Sequence, residues 1–78
     1  MATTKTTIDV RGAACQGGGA LWALLSHFRE IPKGGSLELR TDDYMAPLDI
    51  PAWVIRHAWS VTVRGLPRGR AFLIRRPA

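Results

Sequence analysis

One cysteine among 78 residues cannot close an internal disulfide, so the chain needs no oxidising compartment and is no disulfide-stapled secreted scaffold. The thiol of Cys15 can remain free. No apolar run approaches the roughly 20 residues needed to cross a bilayer, and residues 1–7 lack the hydrophobic segment of a signal peptide, which predicts a cytoplasmic protein with no membrane attachment. The phosphate-cradling patterns G-x-x-x-x-G-K-[ST] and G-x-G-x-x-G are both absent, so glycines 17–19 are not read as a nucleotide site. No repeat, linker or low-complexity stretch divides the chain. It is one domain, 1–78, too short to place a substrate domain beside a cofactor domain, and no cofactor is implied.

What is present is a globular composition, 46% hydrophobic against 22% charged, which excludes a disordered chain. Eleven basic and six acidic residues leave a formal charge of +5, favouring an acidic partner surface or nucleic acid without choosing between them.

Periodicity divides the chain into six elements. Residues 6–10 alternate, with Ile8 and Val10 on one face, and predict the first strand. A helix follows from Gly19 or Ala20 to about Glu30, its inward stripe formed by Leu21, Leu24, Leu25 and Phe28, with Pro32 and the 33–35 turn as its stop. Residues 36–41 alternate Leu37 and Leu39 against Glu38 and Arg40, the pattern of a strand covered on one face. Asp42 and Asp43 read as turn or cap residues. A short helix is expected over 49–57, with Asp49 as N-cap, Pro51 in its first turn, and Ile50, Trp53, Val54 and Ala58 facing the core. Strands at 60–64 and 70–76 flank a 65–69 turn and predict a hairpin. The order β-α-β-α-β-β predicts an α+β fold: a two-layer α/β sandwich whose four-stranded mixed sheet carries two helices on one face.

The stretch that carries chemistry is Asp9-Val10-Arg11-Gly12-Ala13-Ala14-Cys15-Gln16-Gly17-Gly18-Gly19, a strand running through a glycine-rich loop into a helix. A thiol near a helix N-terminus is favoured as thiolate, because unpaired N–H groups and the macrodipole stabilise the anion. Arg11 is positioned to add positive charge. His27 and His57 share no ligand-like spacing with Cys15 and are read as surface or boundary residues. Trp22, Trp53 and Trp59 are read as core or core-edge residues, with Trp22 alternatively flanking Cys15 on a docking face.

Residues 8–15 resemble the strand, glycine and sulfur-carrying cysteine of the TusA/SirA-like sulfur-carrier family, with the same glycine-to-cysteine spacing. Asp42-Asp43, the 49–53 run Asp-Ile-Pro-Ala-Trp and the terminal Phe72-Leu73-Ile74-Arg75-Arg76 are similar to further segments of that family. The resemblance covers nearly the whole chain. It implies a persulfide carried on Cys15, a protein sulfur donor of the cysteine desulfurase or rhodanese type, and a protein acceptor in tRNA thiolation or sulfur metabolism. The family motif Cys-Pro-x-Pro is here Cys15-Gln16-Gly17-Gly18, so Arg11, Gly12, Gln16, Gly17 and Gly18 present the thiol where prolines ordinarily would.

Two other readings stay open. The altered motif suits a non-transferring interaction or regulatory module of the same fold. The arginines at 64, 68, 70, 75 and 76 gather on the predicted hairpin and raise nucleic-acid binding, although no aromatic interleaves with them and charged edge strands are common. Arg68 and Arg70 are also candidates for docking a protein partner.

Overall fold

The computed structural model describes residues 5–12 and 19–78. Strand β1 (Lys5–Asp9) leads to helix α1 (Gly19–His27) and a 3₁₀ turn (Phe28–Glu30). Strand β2 (Ser36–Thr41), helix α2 (Ala46–Arg56), strand β3 (Ser60–Gly65) and strand β4 (Arg70–Arg75) complete the chain. The sheet order is β1-β2-β4-β3, with β1 parallel to β2 and β4 antiparallel to both β2 and β3. This is the expected α+β sandwich, a four-stranded mixed sheet with two helices.

Alternation decides which face is buried. Leu37 and Leu39 of β2 and Phe72 and Ile74 of β4 point to one side, where Ala20 and Leu24 of α1 and Ala46, Ile50 and Val54 of α2 close over them. The side chains of this layer are almost wholly removed from water. A leucine or phenylalanine so buried contributes about 1.5–3 kcal/mol. The far end of the helix layer is aromatic. Phe28 meets the Trp53 ring edge-on at 5.2 Å, Trp59 packs against Trp53 at 5.5 Å, and the His57 imidazole stacks on Trp53 at 4.0 Å.

Four details differ from the sequence expectation. Leu25, placed in the inward stripe, is 39% exposed, because Ala20 and Leu24 define the buried line and the helix has turned Leu25 outward. Helix α2 starts at Ala46 rather than Asp49; its N-cap is Met45, Pro47 occupies the first turn, and Pro51 lies inside the helix. The interior proline removes the hydrogen bond to the Pro47 carbonyl, and Pro47 is exposed, so water can serve that oxygen.

Ala58 does not reach the core. It ends α2 in the left-handed region, φ 60°, while Trp59 N–H donates to Val54 O at 3.0 Å, the 6→1 bond of a Schellman cap. Glu38, expected to face water on the open side of the sheet, is 5% exposed. Lys5 at 3.0 Å, Arg40 at 2.6 Å and Arg64 at 3.7 Å surround its carboxylate and cover it. Their long side chains lie over the strand as well as pairing with it.

Candidate functional site

Because β1 and β2 are parallel, both end at the same edge of the sheet, and the helices that follow them begin there. Two helix N-termini, each with a positive partial charge, therefore share one end of the molecule. Asp42 and Asp43, directly after β2, lie between them.

The aspartates tie this end together. Asp42 Oδ2 accepts a hydrogen bond from the Gly12 N–H at 3.0 Å, and Asp43 Oδ2 accepts one from the Ala20 N–H at 3.1 Å. Gly12 and Gly19–Ala20 bound the stretch that contains Cys15, so both described ends of that stretch are anchored to consecutive residues of β2's extension. Asp43 is also built into α2: its Oδ1 accepts from Met45 N–H at 3.0 Å, its backbone oxygen accepts from Ala46 N–H at 3.1 Å, and its own N–H donates to Thr41 Oγ1 at 3.0 Å. The turn-and-cap reading of Asp43 was thus correct in kind. Its reach across to α1 was not visible in the sequence.

Gly19 makes that reach possible. It begins α1 at φ 64°, and a Cβ there would collide with the Asp43 carboxylate. Gly12 is likewise left-handed at φ 82°, with open space where a Cβ would stand, so its demand is conformational alone. Among the described residues, Asp42 Oδ1 is buried without a hydrogen-bond partner, directed by a residue that already holds Gly12.

Arg11 is committed elsewhere than expected. Its guanidinium grips Asp9, Nη2 to Oδ2 at 2.7 Å and Nε to Oδ1 at 3.0 Å, and its backbone N–H donates to Oδ1 at 3.1 Å. These hydrogen bonds hold the Asp9 carboxyl down at about 2 and push the Arg11 pKa up. The charge of Arg11 is therefore compensated within β1's own extension rather than offered as a free cation. Arg68 joins Asp9 and Arg11 in lining a shallow cleft.

The hairpin arginines divide between the two ends of the sheet. Arg70 pairs in register with Thr41, at the end that carries the aspartates, and Gly69 (φ 92°) lets the hairpin turn pass so close to the Thr41 carbonyl that a Cβ would clash with it. Arg75 pairs with Ser36 at the opposite end. Arg64 is drawn to Glu38, while Arg76 donates to Ile31 O at 2.9 Å and lies over Trp59 at 5.7 Å. The five arginines form no single basic surface. Arg64, in the cross-sheet row of Arg40 and Asp9, and Arg70 lie at the candidate-site end with Arg68.

Trp22 is 60% exposed on α1, which removes the core reading for this residue and leaves it on the surface one turn beyond Gly19. Trp53 and Trp59 are core-edge residues, as expected. His27 and His57 each donate Nδ1–H to the carbonyl four residues earlier, Ala23 and Trp53, at 2.9 Å. Among the described residues no cluster of histidine, cysteine and carboxylate side chains is suited to a metal ion, and no helix is long and apolar enough to cross a membrane. Cys15, Gln16, Gly17 and Gly18, the centre of the sequence-derived site, lie outside the described residues.

Compared with protein-family models and with curated proteins, the chain matches none.

Proposed function

We propose that this protein is a small sulfur carrier that accepts and hands on a persulfide sulfur at Cys15. The observation that carries the reading is the pair of hydrogen bonds Asp42–Gly12 and Asp43–Ala20, which anchor both sides of the cysteine-bearing stretch where two helix N-termini converge. The helix dipole at the start of α1 favours a thiolate or a persulfide anion, against the Asp42 and Asp43 carboxylates at the same end. The likeness of residues 8–15, 42–43, 49–53 and 72–76 to the TusA/SirA-like carriers supports the same reading from the sequence.

In the proposed step the Cys15 thiolate attacks the terminal sulfur of a donor persulfide. The new bond joins Cys15 Sγ to that sulfur, the donor's S–S bond breaks, and its electron pair leaves with the donor as a thiolate. No second cysteine is present to resolve the product as an internal disulfide, so the sulfur leaves only by attack of an acceptor thiol or another nucleophile. The donor is a cysteine desulfurase or rhodanese-type protein, and the acceptor a downstream protein of sulfur metabolism or tRNA thiolation. Arg68, Arg70 and the exposed Trp22 supply docking contacts at the same end of the fold.

Intact mass after incubation with a persulfide donor tests this. One added sulfur is expected on the native chain and none on Cys15→Ser; a native chain that gains nothing overturns the carrier reading. Salt-sensitive oligonucleotide binding that persists in Cys15→Ser, with no sulfur adduct, would establish the nucleic-acid alternative instead.

A further inference from the structure

Helix α2 is apolar on two opposite faces. Ala46, Ile50 and Val54 are buried in the core. Leu48, Ala52 and Ile55, at the i, i+4, i+7 spacing of a single helical stripe, lie on the other side, with Leu48 66% and Ile55 71% exposed. Tyr44, 79% exposed just before the helix, extends the stripe. A helix covering one face of a sheet needs only one apolar stripe, and the outer one is where charged residues are ordinarily found.

We propose that this outer stripe is the interface of a two-fold homodimer in which α2 packs antiparallel against α2 of a second copy. A two-fold interface must be complementary to itself. About a centre at Ala52, Leu48 faces Ile55 of the partner subunit and Ile55 faces Leu48 of the partner subunit, while the small Ala52 lets the helix axes approach.

The charges agree with the same centre. Asp49 and Arg56 are the only charged residues of α2, one near each end and on the same flank of the stripe. Neither has a side-chain hydrogen bond or ion pair among the described residues. Antiparallel packing brings Asp49 beside Arg56 of the partner subunit, twice; parallel packing would set like charges together and align the helix dipoles. The helix is neutral on a chain of net charge +5, so two copies approach along it without the repulsion of a basic face. A single helix pair buries less than a standard interface, so the dimer is a weak one.

Sedimentation equilibrium of the full chain in reductant, from low micromolar to near-millimolar concentration, tests the proposal. The expected mass rises reversibly from monomer to dimer. Leu48→Glu and Ile55→Glu remain monomeric with unchanged circular dichroism, since both side chains are exposed. Asp49→Arg and Arg56→Asp each weaken association about tenfold, and the double exchange restores it. Restoration separates interface from helix stability, because the exchange opposes the helix dipole. Cys15→Ser dimerises as the native chain does, excluding an intermolecular disulfide. A native chain that stays monomeric throughout, a dimer indifferent to Leu48→Glu, or binding to lipid vesicles in place of self-association overturns it.

Discussion

The carboxylate of Asp43 and the amide of Ala20 meet at 3.1 Å although 23 positions separate them. One residue thus caps the start of α1, shapes the start of α2, and is itself held by Thr41 at the end of β2. Such a joint couples the geometry of two helices to one strand end.

Asp43→Ala removes a cap and is expected to cost about 1–2 kcal/mol, lowering the thermal midpoint by roughly 4–8 °C for each kcal/mol in a domain of this size. Gly19→Ala should cost more than about 1 kcal/mol, from the left-handed backbone and the collision with Asp43. In an Asp43→Ala background the collision is gone and only the backbone penalty remains. Urea melts of the four chains should give a coupling of about 1 kcal/mol, and strict additivity would sink this account of Gly19.

Ala58→Gly is expected to stabilise the protein. Ala58 occupies the left-handed position of the α2 cap, where an alanine costs about 1 kcal/mol that glycine avoids. Part of the gain is offset by the greater freedom of glycine in the unfolded chain, leaving a net of about 0.5 kcal/mol. A midpoint that falls would contradict the cap geometry.

Acid should weaken the fold through two carboxylates. The hydrogen bond from Arg40, then that from Lys5, lowers the pKa of Glu38 below its ordinary 4.5. A group whose folded pKa lies below its unfolded one stabilises the protein above the unfolded value and loses that contribution as pH falls through the folded value. Glu38→Gln is expected to cost about 1–2 kcal/mol at pH 7 and to flatten the decline in stability below pH 4.5. Asp9 has the same sign. Its carboxyl carbon should titrate by NMR near 2, returning towards 3.8 in Arg11→Ala, and an unmoved midpoint would dismiss the Arg11 contact.

The alternation of Leu37 with Leu39, the stripe through Leu24, and the β-branched run at the start of β3 declare their elements because each follows from local periodicity. Element order and handedness then restrict the sheet to few arrangements. Boundaries were less legible where local rules compete. Asp49 resembles an N-cap, yet α2 begins earlier because the Asp43 carbonyl and carboxylate already satisfy the amides of Ala46 and Met45. Leu25 and Ala58 match an apolar pattern, but Leu25 lies about 100° round α1 from the buried Leu24 and a left-handed cap turns Ala58 outward.

The amino-acid order by itself determined the class of fold, the single thiol and its place between β1 and α1. Only the tertiary structure decided that Asp42 and Asp43 brace that place, that Arg11 is spent on Asp9, and that the hairpin arginines separate to opposite ends. The physical reason is that periodicity reports which face of an element is buried. It does not report which distant strand end will stand beside a helix N-terminus, because that contact exists only once the parallel crossover has closed.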